Sequence, residues 1–152
     1  MTPIRATDPY DWTSILQLIQ QEFASMEGRI DPPSSMRTLT AEAIATQSST
    51  GEVWVMGAPP VACMILTMKP HALYLGKLAV AGSHRGKGLA RVLIDRATDR
   101  ARAMGLPVVE LQTRIELVEN HAAFRAMGFT QVGHSSHPGY DRVTTLTFQR
   151  AV

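Results

Sequence analysis

The chain has 152 residues, 45% of them hydrophobic, which is enough to fill one core and too little for two. Its formal charge is +2 and the basic residues are dispersed, which speaks against a nucleic-acid surface and leaves a local anion site as the better fit. No window reaches the roughly 18 apolar residues of a membrane span, and Arg5, Asp8 and Asp11 interrupt the first twenty residues, so one soluble, cytoplasmic domain over residues 1–152 is expected.

In chain order, residues 4–6 read as an opening strand. Asp8 before Pro9 reads as a helix start, after which Trp12, Ile15, Leu16, Ile19 and Phe23 recur at helical spacing. The paired prolines of 28–35 cannot continue that helix and predict a loop. Thr40 is placed to cap a short helix over 41–47 with Glu42 in its first turn. Two apolar runs, 52–57 and 61–68, flank Ala58, Pro59 and Pro60 and predict an antiparallel pair. Residues 72–80 form a third run. Leu89, Val92, Leu93, Ala97, Ala101 and Met104 then mark one face of a helix that Gly105 and Pro107 end. A strand over 108–113, a short helix over 122–127 closed by Gly128, and a final strand over 143–148 complete the chain. The final strand is expected to be exposed, an edge on which a homodimer could pair. Cys63, the only cysteine, lies in the apolar run 62–66 and reads as a buried hydrophobe, with no disulfide or cysteine metal site implied.

The segment Arg85-Gly86-Lys87-Gly88-Leu89-Ala90 lies between a predicted strand and a predicted helix. A helix begins with backbone N–H groups that have no partner in the helix, and its dipole adds positive charge there, so an anion is favoured at that end. Gly86 and Gly88 allow a sharp turn and close approach, and Arg85 and Lys87 add charge. The same glycines would equally suit a plain strand-to-helix turn. The stretch is too short for a Walker loop, lacks its Lys-Ser or Lys-Thr ending, and lacks the three glycines of a dinucleotide fingerprint.

Leu78-Ala79-Val80 followed by His84 to Ala90 resembles the acetyl-CoA signature of the GNAT acetyltransferase superfamily, Arg/Gln-x-x-Gly-x-Gly/Ala, with Arg85, Gly88 and Ala90 in its fixed places. Downstream, Glu119 to Phe129 resembles the second cofactor segment of that family, an Asn followed by a short helix ending in Gly-Phe. The resemblance implies an α+β (α/β) fold, with a mixed, mainly antiparallel central sheet, helices on both faces and a splayed strand pair that takes the pantetheine arm of acetyl-CoA. It implies that backbone N–H groups around Leu78, Ala79 and Val80 orient that arm and polarise the thioester. The amides of Arg85, Gly86, Lys87, Gly88, Leu89 and Ala90 would hold the pyrophosphate. Asn120 would bond the cofactor or steady the splayed strands, with helix N-capping as the alternative role, and Phe124 falls within the same cofactor segment.

The implied reaction moves an acetyl group to a primary amine of a small molecule or peptide, which needs a proton removed from the ammonium and one supplied to the thiolate. Many relatives carry a tyrosine as the acid where this chain has Phe124, which has no exchangeable proton. Tyr140 and Tyr74 are the available phenols, and Glu110, His134 and His137 the candidate bases, each with an ordinary surface role as its alternative. Glu116 and Glu119 suit a helix start better than a metal site. Met26, Met36, Arg29 and Asp31 belong to or flank the proline loop and are candidates to shape the acceptor pocket. An acetyl-CoA-binding module without turnover is the alternative to an enzyme.

Overall fold

A computed structural model describes all of residues 1–152. The strands are β1 (Ile4–Ala6), β2 (Glu52–Met56), β3 (Ala62–Met68), β4 (Leu73–Val80), β5 (Val108–Arg114), β6 (Thr130–Ser135) and β7 (Thr145–Ala151). The helices are α1 (Trp12–Ala24), α2 (Ala41–Thr50), α3 (Leu89–Ala103) and α4 (Val118–Ala126), with single 3-10 turns at Ser35–Thr38 and Gly82–His84. All strands join one sheet in the order β1-β2-β3-β4-β5-β7-β6, antiparallel everywhere except between β4 and β5. No helix is long and apolar enough to cross a membrane.

Helices cover both faces, which is why β2 and the first five residues of β3 are buried throughout and read as continuous apolar runs. Trp54, Met56, Met64 and Leu66 point to the side of α3, where Leu93, Ile94, Ala97, Phe129 and Phe148 complete one core. Val53, Val55, Cys63 and Ile65 point to the side of α1 and α2, against Ile15, Ile19 and Ile44. Burial of Cys63 pushes its thiol up to about 12, so it is neutral and packed.

Several boundaries differ from the sequence reading. The Asp8 carboxylate accepts from the Trp12 indole at 2.7 Å rather than starting α1, which begins at Trp12. Ile94, not Val92, completes the buried face of α3. α4 opens one turn earlier than expected. β6 had no counterpart in the reading, because its residues are almost all exposed and lack an apolar alternation. As a result β7 is interior, between β5 and β6, and the exposed edge on this side is β6, not the final strand.

The expected cap of α2 is present: Thr40 Oγ1 accepts the Ala43 N–H at 3.1 Å. Replacing Thr40 with alanine leaves that N–H to water and is expected to cost about 1 kcal/mol, read as a lower urea midpoint with an unchanged slope.

Candidate functional site

The loop between β4 and α3 is built by its glycines. Gly86 and Gly88 have φ of +76° and +78°, in the left-handed region where a β-carbon is disfavoured, and a β-carbon at either would meet no protein atom within 4 Å. The consequence is a run of six backbone N–H groups, from Gly86 to Arg91, that donate to no acceptor in the chain. The first helical bond here belongs to Val92, which donates to Gly88 O at 3.1 Å. Gly86, Gly88, Leu89, Ala90 and Arg91 border a cavity of about 390 Å³ that Ala123, Ala126 and Met127 of α4 also line. A helix N-terminus and a row of free N–H groups beside a cleft are the kind of arrangement that favours an anion.

The residues expected at the site take the following positions. The Arg85 N–H donates to Gly82 O at 3.4 Å and its guanidinium pairs with Glu22 of α1, so the free row starts at Gly86 and runs one residue further than expected, to Arg91. Lys87 is exposed. Asn120 does not cap α4: the N-cap is Leu117, and Asn120 is the third helical residue, with no side-chain hydrogen bond within the chain. Phe124 packs against Phe129 and Phe148, with ring centroids 5.8 and 6.4 Å away, and it is the alanines and Met127 of α4 that face the cleft.

Next to this turn the sheet opens. β4 and β5 pair only at Leu73–Val109 and Tyr74–Glu110, although β4 continues to Val80 and β5 to Arg114. The cause lies in β4, which carries one extra residue against β3 between the pairs Ile65–Gly76 and Cys63–Ala79. Lys77 within that bulge has a φ of +50°, the only non-glycine residue with a positive value. The bulge also switches faces: Leu75 packs toward α3, while Ala79 is buried on the α1 side. Ala81 N–H donates to Val61 O, and alternation along an antiparallel strand then turns the N–H groups of Val80 and Leu78 away from β3, toward the gap. Ala79 is turned the other way, so of the three residues expected to offer an amide, it is a core residue.

On the face of the sheet that carries α1, Tyr74 and Glu110 stand at the last pair before the strands part. The Tyr74 ring lies along Gly76, under the Lys69 ammonium at 4.3 Å, and its pKa is raised by burial and then by the charge of Glu110. Glu110 accepts from Gln149 at 3.0 Å and pairs with Lys69 at 3.7 Å. Gln112, two residues on and on the same face, borders the gap, and nothing in its sequence context singled it out.

His134 does not join this group. It pairs with Leu146, whose side chain belongs to the α3-side core, so His134 points to the opposite face from Glu110. It is also on strand β6 rather than in a loop. Tyr140 donates to Asp31 Oδ1 at 2.7 Å, which raises its pKa, and so it ties loop 136–144 to loop 25–34. Arg142 reinforces that tie through Asp31 O at 2.9 Å, and Arg114 donates to Pro32 O at 2.6 Å and Pro33 O at 3.2 Å. Arg29 reaches Glu119 at 2.6 Å, and Glu116 takes the Asp31 N–H at 3.2 Å, which accounts for both glutamates as loop ties. His137 lies beside this cluster, bonded to Thr144, and burial and the Arg114 charge hold it below the usual histidine range, with Glu116 opposing. His121, which follows Asn120 on α4, is structural: its Nε2 meets Arg114 O at 2.9 Å.

The chain has relatives among known proteins. The Acetyltransferase (GNAT) family profile matches residues 12–129, which includes the splayed strands, the phosphate turn and α4. N-alpha-acetyltransferase 30 of Saccharomyces cerevisiae is 31% identical over 102 residues, a match covering 62% of this chain and 53% of that protein. Among solved structures, the NatC complex bound to Gag peptide and CoA contains a chain with a TM-score of 0.69 at 20% identity, covering 100% of this chain and 99% of that one. A GNAT family acetyltransferase from Elizabethkingia anophelis with acetyl-CoA bound gives a TM-score of 0.71 at 13% identity, covering 99% and 97%. The mainly antiparallel seven-stranded sheet and its four helices are the fold of these proteins, and the chain belongs to the GNAT superfamily of N-acetyltransferases.

Proposed function

We propose that this acyltransferase moves the acetyl group of acetyl-CoA directly to a primary amine. The observation that carries the reading is the row of free N–H groups from Gly86 to Arg91 at the end of a strand whose neighbour has parted from it. Pyrophosphate fits the row, and an extended pantetheine arm fits the gap, where Val80 and Leu78 offer N–H groups on one side. A donor aimed at the thioester carbonyl stabilises the oxygen as it gains charge during attack. Direct transfer follows from the state of Cys63, which is buried and protonated and cannot serve as an acyl carrier.

On the acceptor face the same geometry supports a division of roles. Tyr74, protonated at neutral pH, supplies the proton for the departing thiolate, in place of the tyrosine that Phe124 replaces. Glu110 accepts the proton of the incoming ammonium, directly or through one water. Tyr74→Phe is expected to lower kcat by about tenfold, a modest loss because a thiol with a pKa of about 8.5 leaves tolerably as thiolate, while the affinity for acetyl-CoA stays unchanged. Glu110→Gln should show a deficit that shrinks as pH rises toward the pKa of the acceptor amine, since the free amine then needs no base. A deficit constant with pH would remove Glu110 from this role.

The acceptor class is tested by thiol release from acetyl-CoA across a panel of peptides, amino acids, polyamines and simple amines. Peptide α-amines lead the panel, because the yeast relative is named an N-alpha-acetyltransferase and one structural neighbour is bound to a peptide. Acceptor-dependent release with any member supports transfer. Tight acetyl-CoA binding without release by any of them would leave a cofactor-binding module.

A further inference from the structure

The phosphate turn has a carboxylate beside it that an anion site does not call for. Glu22, on the last turns of α1, accepts the Gly82 N–H through Oε1 at 3.1 Å and pairs through Oε2 with Arg85 Nη2. Its side chain is 11% exposed, whereas that of Arg85 is 60% exposed, so the carboxylate is fixed in the wall while the guanidinium lies on the open side. Arg85 immediately precedes the six free N–H groups, within reach of the same ligand, and its charge is offset by a neighbour that repels phosphate. α1 then runs directly into loop 25–34, which is bonded to Glu119, Glu116, Tyr140 and Arg142, so the helix that holds Arg85 also carries the loop at the acceptor face.

We propose that Glu22 is a positioning residue that sets acyl-CoA affinity: its carboxylate keeps the Arg85 guanidinium off the phosphates, so that binding rests on the amide row and free CoA leaves after transfer. The proposal rests on the acyl-CoA reading of the cleft. Its distinguishing feature is sign. A residue that merely tethers the loop weakens binding when altered, whereas a residue that withholds a cation strengthens it.

The experiment is a calorimetric titration of the full chain with acetyl-CoA and, separately, with CoA, for the wild type, Glu22→Gln, Arg85→Ala and the double variant. Glutamine keeps an oxygen for the Gly82 N–H, and circular dichroism checks that each variant is folded. Removing one charge within a Debye length of the phosphates and releasing a guanidinium is expected to tighten both ligands by about three- to tenfold in Glu22→Gln. The salt dependence of that binding should steepen, since one more cation is then free to act on the phosphates. Arg85→Ala, which leaves Glu22 unneutralised, should weaken both ligands, and the double variant should return to within about twofold of the wild type if the two charges act on the same phosphates. In turnover, KM for acetyl-CoA should fall in Glu22→Gln with KM for the acceptor unchanged. Weaker or unchanged binding in folded Glu22→Gln would overturn the proposal and leave the cofactor reading intact. A wild type that binds neither acetyl-CoA nor CoA would overturn both.

Discussion

Gly88→Val is expected to lose acetyl-CoA affinity by about two orders of magnitude or more, because the side chain displaces the phosphates from at least two charge-assisted N–H bonds worth roughly 1.5–3 kcal/mol each. The protein itself offers no obstacle: a β-carbon at Gly88 meets nothing within 4 Å, so any loss of affinity reflects the cleft rather than a clash within the chain. The remaining effect is strain, since Gly88 has a φ of +78° and a β-branched residue there costs on the order of 1–2 kcal/mol. Gly105 supplies a matched control. It has a φ of +72°, is equally open, and lies at the far end of α3 from the cleft. Gly105→Val should therefore show a similar fall in stability and normal acetyl-CoA affinity. Equal affinity in the two folded variants would mean that the turn does not hold the cofactor.

Glu52→Ala is expected to destabilise the fold strongly. Glu52 is 5% exposed at the start of β2, and its carboxylate accepts from the Trp54 indole at 2.9 Å and from Arg100 of α3 at 2.9 and 2.6 Å. Arg5 of β1 stands 3.8 Å away. One carboxylate thus joins β1, β2 and α3, and its removal leaves an indole N–H and a guanidinium without their partner. Breaking a buried pair in this way costs about 3–5 kcal/mol, and partial exposure of Arg100 favours the lower end, roughly a 6–12 °C fall in Tm for a chain of this size. The same group gives the fold an acid limit. Burial pushes its pKa up, but the hydrogen bonds from Arg100 and Trp54 and the charges of Arg100 and Arg5 outweigh that, and the carboxyl titrates below its ordinary value of 4.5. A depressed carboxylate contributes stability that is fully present above the unfolded pKa and is lost as pH falls through the folded one. Urea midpoints should therefore drop below about pH 4.5 in the wild type more steeply than in Glu52→Gln, which has no charge to lose at that position.

The parts of the site that could be read from the sequence are those written in neighbouring residues. The glycine pair before an amphipathic helix marks a sharp turn at a helix start because φ and the helix start are local properties, whereas the bulge at Lys77 lies unmarked inside the apolar run 72–80. Register across strands was out of reach. Tyr74 and Glu110 meet because of a parallel pairing over 36 positions of sequence, and His134 falls on the wrong face because it sits opposite Leu146 on a strand that carries no apolar pattern. β6 was invisible for the same reason it is an edge: Thr130, Gln131, Val132, His134 and Ser135 are exposed and nothing there needs to be hydrophobic. The start of α4 was hidden by Val118, Glu119 and Asn120, of which Val118 is 66% exposed and gives no periodic signal. Arg85 read as a phosphate ligand because its partner, Glu22, is 63 residues away. Loop 28–35 read correctly as a loop, but its ties to Arg114, Glu116, Tyr140 and Arg142 depend on the folded chain alone.

The six free amides from Gly86 to Arg91 can be observed one by one. In a nitrogen–proton correlation spectrum of the labelled protein titrated with acetyl-CoA, the largest shifts are predicted for the amides of Gly86, Lys87, Gly88, Leu89, Ala90 and Arg91, with Leu78 and Val80 following and Ala79 little changed. Binding that leaves the six unperturbed, or moves amides elsewhere in the sheet instead, would contradict a cofactor site at this turn.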